Sequence, residues 1–472
     1  MVKYAIIIQH GGKDMFIIVV GQGKVGTTLA SQLCAEGHDI VIIDSNAEVL
    51  KKLQETLDVT TLCGNGAAGS VLEEAGAARA DLLIACTDGD EINLLSCMVA
   101  RKLGTKNTIA RVRNPEYDSD LRLLKDEFHI SLSINPELTC AREIFRILRF
   151  PAFLKRETFL RDKAELVELK VAPGSQLDGL KLMDLRRLTD EKALICAVER
   201  QGQVSIPDGT FVLQGNDRIS ITAEAAGLVR FMNDLKLSTP SIRKVMIVGG
   251  SRIAIHVARL LQRNKVRVTI MDNDEQKCHK LTELLPEATI LYGNGTLQDV
   301  LLSEGVKDTD AVLALTGFDE ENLTISMFAN YLKVPKTVTK IDRTDHLEVY
   351  SNAGIDTIVS PKLLTANEIV RYVRAMGSRS GQSMLALSRF MDGKVEAMEF
   401  IVPEGASYCD IPFKALQTRK RKDTLVAAIA RNRQLIIPSG DDCLLPEDRV
   451  VIVAPRDVTI SALKDVFPGG SL

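Results

Sequence analysis

The chain has 472 residues, of which 45% are hydrophobic and 26% charged, and its formal net charge is −3. This composition excludes a disordered or fibrous protein, and the nearly balanced charge provides no field that would attract nucleic acid or an anionic membrane. Because single cores rarely exceed about 250–300 residues, the length predicts two to four domains. No apolar run reaches the roughly 18 residues of a spanning helix, so direct membrane insertion is not predicted.

The cysteines and histidines carry little functional signal. Nine cysteines are scattered without a CxxC pair, and the six histidines lack the spacing of metal ligands. The odd cysteine total predicts reduced, mostly buried thiols of a cytoplasmic protein, and a dedicated metal site is not predicted. Residues 1–14 precede the first strand pattern and receive no functional assignment.

The first predicted elements, in residues 16–44, are a strand, a glycine turn, an amphipathic helix and a second strand that ends on Asp44. The turn reads GQGKVG, in which Gly21, Gly23 and Gly26 have the GxGxxG spacing. Such glycines permit a tight turn, close approach of the backbone to a pyrophosphate and close packing of helix on strand. The start of a helix attracts phosphate, and Asp44 stands where such folds hold a ribose. The unit therefore predicts dinucleotide or nucleotide binding.

Apolar runs and helical patterns continue to alternate along the chain. This alternation predicts right-handed βαβ crossovers and one doubly wound parallel sheet. Strands are expected at 16–20, 39–43, 58–62, 81–86, 108–112 and 129–133, with helices at 25–36, 47–56, 70–76, 91–103 and 117–126. Residues 136–149 then predict an amphipathic exit helix that packs against another surface, with a second subunit as one candidate. Short strand-like runs at 164–222, broken by Pro and Gly turns, predict a small α+β domain.

At Lys244 the pattern begins again. Asp272 follows Gly249 by 23 residues, the same offset as Asp44 from Gly21, and GNG at 64–66 recurs at 293–295. Matches in the small domain repeat as well, so the chain is a tandem duplication of a two-domain unit. The fold class is therefore predicted to be α/β, with two Rossmann-like doubly wound parallel-sheet domains, each followed by a small α+β domain. The predicted bounds are 15–150 and 243–377 for the nucleotide-binding domains, and 151–237 and 385–472 for the small ones.

The duplication argues against an enzyme. A dehydrogenase needs a substrate domain that brings an acid, base or nucleophile to the nicotinamide. The small modules contain no histidine across 151–243 or 385–472, which removes the commonest proton-transfer residue, although Lys, Tyr and Asp remain. Two nucleotide domains with two copies of a small partner favour a sensor that catalyses nothing, with an NAD-dependent oxidoreductase as the alternative.

Several motifs together carry a family resemblance. They are GQGKVG at 21–26, VIID at 41–44, CGNGA at 63–67, TDGDEIN at 87–93 and ARVRNPEY at 110–117, with their counterparts in the second half. With them the chain, from about Met15 onward, resembles the TrkA-type regulatory subunits of potassium uptake systems. These subunits are built from two RCK (KTN) units, each with a nucleotide-binding N-lobe and a smaller C-lobe.

The resemblance implies a function that the residues alone do not give. It implies a cytoplasmic regulatory subunit that assembles into a homo-oligomeric dimer or tetramer ring under a membrane potassium transporter subunit of the TrkH/TrkG type. Binding of NAD(H), or of ADP or ATP, would gate that transporter, and no nucleic-acid partner is implied. A gating module of another transporter is the further alternative.

The resemblance also implies site residues. The phosphate loop would comprise Gly21, Gln22, Gly23, Lys24, Val25 and Gly26, with Asp44 on a ribose and Thr87, Asp88 and Arg111 on the adenosine side. In the second half the corresponding residues are Gly249, Ser251, Arg252, Ile253 and Asp272. Ser251 adds a side chain where the backbone should approach the ligand, so the second set is either a site, with ADP or ATP as candidate ligands, or a structural copy. Both acids disfavour the 2′-phosphate of NADP.

Overall fold

The described residues of the chain form four β-sheets that alternate in type along its length. A computed structural model describes residues 15–114, 117, 130–149, 153–160, 163–237, 241–343, 349–350, 354–355, 357–377, 384–416, 421, 423–432, 434–458, 460 and 462–467. Each half of the chain has an N-lobe, built on a six-stranded parallel sheet, followed by a C-lobe, built on a five-stranded antiparallel sheet. The predicted fold class is therefore confirmed.

The first N-lobe is built around the apolar strand β1, which is buried at all five positions. This burial is expected where helices cover both faces of a parallel sheet. Its elements are β1 (Phe16–Val20), α1 (Lys24–Ala35), β2 (Asp39–Asp44), α2 (Ala47–Gln54), β3 (Thr60–Cys63), α3 (Gly69–Glu74), β4 (Leu82–Ala85), α4 (Asp90–Leu103), β5 (Asn107–Arg111), β6 (Leu132–Ile134) and α5 (Pro136–Arg149). The strand order is β3-β2-β1-β4-β5-β6. These elements match the predicted ones within a few residues, and the helix predicted at 117–126 lies, apart from Tyr117, outside the described residues.

The first C-lobe follows the first N-lobe in the chain. Its strands alternate buried apolar and polar positions less strictly than the strands of a sheet with one solvated face. Its elements are β7 (Phe153–Phe159), β8 (Ala164–Lys170), β9 (Ala193–Arg200), β10 (Gln203–Ser205), β11 (Arg218–Glu224) and α6 (Ala225–Asp234). The strand order is β10-β9-β11-β8-β7. Strand β8 is buried at six of its seven positions, because a second sheet covers the face that a solvated sheet would expose.

The second half repeats both lobes. Its N-lobe comprises β12 (Lys244–Val248), α7 (Arg252–Arg263), β13 (Arg267–Asp272), α8 (Glu275–Leu284), β14 (Thr289–Tyr292), α9 (Gln298–Ser303), β15 (Ala311–Ala314), α10 (Asp319–Tyr331), β16 (Lys336–Lys340), β17 (Ile358–Val359) and α11 (Pro361–Gly377). Its C-lobe comprises β18 (Ala386–Phe390), β19 (Val395–Ile401), α12 (Phe413–Leu416), β20 (Leu425–Arg431), β21 (Gln434–Ile436), β22 (Arg449–Pro455) and α13 (Leu463–Val466). The strand orders β14-β13-β12-β15-β16-β17 and β18-β19-β22-β20-β21 reproduce those of the first half.

The exit helices α5 and α11 cross between the halves. Ile144 and Leu148 of α5 are buried in the core of the second N-lobe, together with Val257 of α7. In return, Val370 and Val373 of α11 belong to the core of the first N-lobe. The surface that the amphipathic exit helix was expected to meet is thus the other half of the same chain rather than a second subunit.

Polar contacts accompany this exchange of helices. The Arg374 guanidinium of α11 makes two hydrogen bonds to the Glu36 carboxylate at the end of α1. The Thr139 hydroxyl of α5 donates to Glu368 of α11 at 3.1 Å, so the two exit helices also contact each other. Each N-lobe therefore completes its core with a helix from the other half, and the two N-lobes form one unit.

The two C-lobes share a core in the same reciprocal way. The backbone N–H of Leu160 donates to Glu399 at 3.0 Å, and the backbone N–H of Met391 donates to Glu168 at 2.9 Å. Leu160 and Met391 are buried and have φ angles of 57° and 51°, a region that non-glycine residues rarely adopt. The buried carboxylate of the opposite lobe stabilises each of these backbone positions, and the matching pair of contacts gives the C-lobes a local two-fold relation.

Among the described residues, no helix is both long enough and apolar enough to cross a membrane.

Candidate nucleotide-binding sites

The first crevice lies where the strand order of the first N-lobe reverses. Strands β1 and β4 are neighbours in the sheet, and the helices that follow their loops, α1 and α4, pack into cores on opposite faces of the sheet. Ligands of open parallel sheets bind at this position, outside the carboxyl ends of the strands. The structure thus brings together the predicted phosphate loop and the predicted adenosine-side residues Thr87 and Asp88.

Two glycines of the first loop are required by its geometry. Gly21 has φ +98°, and a Cβ there would lie 2.7 Å from the backbone nitrogen of Thr87. A Cβ at Gly26 would lie 2.1 Å from the carbonyl oxygen of Gly21, so only glycine allows α1 to approach the loop this closely. A side chain at either position would push apart the strand, the loop or the helix.

The middle glycine leaves space for a ligand. A Cβ built at Gly23 would meet no atom within 4 Å, and no described side chain caps the first turn of α1. The start of this helix therefore has uncapped N–H groups beside an unfilled position, and such a helix start can bind phosphate. The side chain of Val25, by contrast, is buried in the lobe, so this residue offers a ligand only its backbone.

Asp44 lies at the edge of this loop. Its carboxylate accepts hydrogen bonds from the backbone N–H groups of Gln22 at 2.6 Å and Asn46 at 2.8 Å. These two contacts orient the side chain, which remains partly exposed, and a carboxylate has further acceptor sites for two ribose hydroxyls. The side chain of Gln22 is buried, and its amide donates to the hydroxyl of Thr27 at 2.9 Å.

A buried asparagine holds the opposite wall of the crevice, and sequence reasoning did not assign it to the site. Asn93 on α4 is fully buried, accepts the Thr87 N–H at 2.8 Å and donates to the carbonyl oxygens of Thr87 and Arg111. The Arg111 guanidinium also contacts the Thr87 carbonyl and the exposed Asp88 carboxylate. The recurrence of this asparagine as Asn322 was the available signal, since Asn322 makes the same contacts to Thr316 and Lys340.

Lys24 bridges to the other half of the chain. Its ammonium lies 2.8 Å from the Asp342 carboxylate, which follows β16 of the second N-lobe. The Lys340 ammonium is 3.6 Å from the same carboxylate. Burial would raise the pKa of Asp342, but the hydrogen bond from Lys24 and the charge of Lys340 outweigh burial and lower it. The second half therefore contributes a carboxylate to the mouth of the first crevice.

The second crevice has the same backbone but different side-chain contacts. Gly249 has φ +99°, and the Gly250 N–H donates to Asp272 at 2.6 Å, as Gln22 does to Asp44. The Ser251 hydroxyl accepts a hydrogen bond from the Ala254 N–H at 3.3 Å and so caps α7. The Lys277 ammonium lies 2.6 Å from the Asp272 carboxylate.

Two further residues of the predicted second set differ in what they offer. Arg252 is exposed at the first position of α7, whereas the side chain of Ile253 is buried in the core.

Burial would raise the pKa of Asp272, but hydrogen bonds from Lys277, Gly250 and Asp274 outweigh burial and lower it. The acid of the second crevice is therefore an ionised, nearly buried carboxylate that already has an internal cation.

The cysteines near the first crevice have no reactive environment. Burial raises the pKa of the Cys86 thiol to about 12, and this thiol donates to the Gly21 carbonyl. All nine cysteines are free, five of them are buried, and Cys63 is exposed at the end of β3. Within the described residues, no group of three or more His, Cys, Asp or Glu side chains could hold a metal ion.

Comparison with known proteins gives consistent matches over nearly the whole chain. The TrkA-N domain model matches residues 17–132 and 245–361, and the TrkA-C domain model matches residues 166–236 and 397–467. The Trk system potassium uptake protein TrkA homolog of Archaeoglobus fulgidus is 31% identical over 453 residues, which cover 96% of this chain and 100% of the relative. The Trk system potassium uptake protein TrkA of Vibrio alginolyticus is 30% identical over 458 residues, covering 96% and 98%.

Solved structures share the fold at lower identity. The crystal structure of the GsuK RCK domain superposes with a TM-score of 0.61 at 19% identity and covers 95% of this chain and 94% of its own. The GsuK channel bound to NAD has a TM-score of 0.61 at 18% identity, covering 95% and 78%. At these identities the similarity establishes the duplicated architecture.

Proposed function

The chain belongs to the TrkA family of Trk-system potassium uptake proteins, and from this membership we propose that it binds a nucleotide and thereby gates a membrane potassium transporter. One observation supports the nucleotide above all others. The first crevice combines an uncapped helix start, open space at Gly23 and the oriented carboxylate of Asp44. These groups are complementary to the phosphates and the ribose of a nucleotide.

The proposed ligand is NAD(H), with ADP or ATP as the alternative. The phosphates would accept hydrogen bonds from the backbone of the GQGKVG loop, Asp44 would accept from the ribose hydroxyls, and Thr87, Asp88 and Arg111 would border the adenosine. NAD and the adenine nucleotides share these groups. A 2′-phosphate would meet the negative charge of Asp44, which disfavours NADP.

The proposed action is regulation without catalysis. The chain would act as a homo-oligomer at the inner face of the membrane, bound to a transporter subunit of the TrkH/TrkG type. A nucleotide that binds one arrangement of the lobes more tightly shifts the assembly toward that arrangement, and the attached transporter with it. The names of the curated relatives, which assign them to Trk potassium uptake, support this partner.

Reconstitution with the co-purifying membrane subunit tests this function. In liposomes the wild-type chain is expected to change potassium flux when NADH, NAD⁺, ADP or ATP is added, and Asp44→Ala is expected to abolish that response. Steady NADH consumption by the purified chain would contradict regulation without catalysis. Failure of any potassium transporter to co-purify would contradict the proposed partner.

The Lys24–Asp342 contact offers a route from the ligand to the other half of the chain. A nucleotide phosphate at the start of α1 would compete with Asp342 for the Lys24 ammonium, and Asp342 would repel the phosphate. Replacing Asp342 with Asn is therefore expected to raise nucleotide affinity about fivefold, because a partly exposed charge contact is worth ~1 kcal/mol. Isothermal titration calorimetry measures the change.

A matched ion pair controls for a general effect of surface charge. Lys106 is 69% exposed and pairs with Asp81 at 2.6 Å, much as Lys24 is 72% exposed and pairs with Asp342. Lys106 lies at the amino end of β5, whereas the crevice lies at the carboxyl ends of the strands. Lys24→Met should weaken nucleotide binding, whereas Lys106→Met should leave it unchanged; equal effects of the two would show that Lys24 has no specific role.

A further inference from the structure

One difference between the two crevices lies in the first turn of the second helix of each N-lobe. The N-cap residue of α2, Asn46, accepts a hydrogen bond from the Val49 N–H, and the N-cap residue of α8, Asp274, accepts one from the Lys277 N–H. Val49 and Lys277 therefore occupy the same place in the two helices. The first half has an apolar side chain at this place, and the second half has an ammonium group.

The two acids consequently have different environments. Asp44 and Asp272 each accept two backbone N–H groups from corresponding positions. Asp272 additionally accepts from the Lys277 ammonium at 2.6 Å, and its side chain is only 5% exposed. Oxygen Oδ2 of Asp272 thus receives both the Gly250 N–H and the ammonium, and a ribose hydroxyl would have to displace the latter.

The helix start in the second crevice is also satisfied internally. The Ser251 hydroxyl accepts from the Ala254 N–H, whereas the corresponding loop position in the first half is Gly23, which has no side chain. The acid and the helix start, which have no such side-chain partners in the first half, are therefore both bonded to side chains of their own lobe in the second half. The Lys277–Asp272 ion pair is the stronger obstacle, because separating it leaves a nearly buried carboxylate without its cation.

We propose that Lys277 excludes ribose from the second crevice, so that each chain binds one nucleotide, and binds it in the first crevice. This inference rests on the proposed function. The Lys277 ammonium takes the place that the ribose hydroxyls would occupy, and the second N-lobe keeps its loop ordered without a ligand. A nucleotide signal therefore enters each chain through one half, and the other half receives it through the exchanged helices.

Reciprocal substitution at the two equivalent positions tests this inference. Calorimetry with NADH, NAD⁺, ADP and ATP should give one nucleotide per wild-type chain. Val49→Lys should lower the affinity about tenfold or more by pairing with Asp44. Val49→Met, which has similar bulk without the charge, should retain the wild-type affinity. The double variant Lys277→Val/Ser251→Gly should bind a second nucleotide in each chain.

The outcomes separate this inference from the proposed function. Two nucleotides per wild-type chain would overturn the inference and leave the proposed function intact, whereas no binding of any of the four would overturn both. One nucleotide per chain in the double variant, with its fold verified by circular dichroism, would show that Lys277 does not exclude the ligand. If the double variant does not fold, equal affinities of Val49→Lys and Val49→Met would overturn the inference.

Discussion

Replacing Asp44 with alanine is expected to lower nucleotide affinity about 100-fold. The carboxylate is held at the loop by the N–H groups of Gln22 and Asn46 and remains partly exposed toward the crevice. Two charge-assisted hydrogen bonds to ribose hydroxyls contribute roughly 3 kcal/mol together, and ~1.4 kcal/mol corresponds to a factor of ten. Thermal-shift titration with NAD⁺, NADH, ADP and ATP, followed by calorimetry, measures the loss.

The equivalent substitution in the second half is the matched control. Asp272 lies at the same position of its lobe but is paired with Lys277. Asp272→Ala is expected to lower the stability of the chain, because it removes the acceptor of the Gly250 and Asp274 N–H groups and the partner of Lys277, but to leave nucleotide affinity within about twofold. An Asp44→Ala variant that every ligand stabilised as much as the wild type would show that the ribose is not held at Asp44.

Replacing Glu399 with alanine is expected to lower the free energy of unfolding by about 3 kcal/mol. The Glu399 carboxylate is buried between the C-lobes, where it accepts from Arg449 and from the Leu160 N–H. Alanine would leave the guanidinium without its ion pair and a buried N–H without an acceptor, and losses of one partner in such pairs cost roughly 3–5 kcal/mol. The lower value applies because Arg449 is partly exposed. Thermal and urea denaturation measure the effect.

Two further variants show whether this loss comes from the interface. Glu168→Ala removes the reciprocal contacts to Arg218 and the Met391 N–H and should cost a similar amount. Glu404 is exposed in the same C-lobe, so Glu404→Ala should change the free energy of unfolding by less than about 0.5 kcal/mol. A Glu399→Ala variant as stable as Glu404→Ala would contradict the role assigned to the buried carboxylate.

The reciprocal contacts give a physical basis for communication between the halves. Helices α5 and α11 each complete the core of the opposite N-lobe, and the C-lobes share one core. A displacement of α1 by a bound phosphate would therefore be transmitted to α11, because Arg374 of α11 is bonded to Glu36 at the end of α1. The exchanged helices thus connect the two halves within one polypeptide.

The sequence by itself determined the fold class, the duplication and the glycine loop of the first half. These features depend on local requirements: apolar periodicity specifies strands and helices, and Gly21 and Gly26 are needed because a Cβ would clash with nearby backbone. The position of Asp44 beside the loop follows from the usual length of a βαβ unit. Asn93 lies in the TDGDEIN motif, but only the structure shows its contacts with Thr87 and Arg111.

Only the tertiary structure decided which surfaces meet across the chain. The amphipathic pattern of residues 136–149 shows that one face is buried, but it does not identify the covering surface, which proved to be α7 of the other half. Lys24 and Asp342 are 318 positions apart, and their contact depends on how the N-lobes are oriented. Lys277 and Asp272 are only five residues apart in the sequence, yet the structure was needed to show their contact, because a lysine on an amphipathic helix ordinarily faces water.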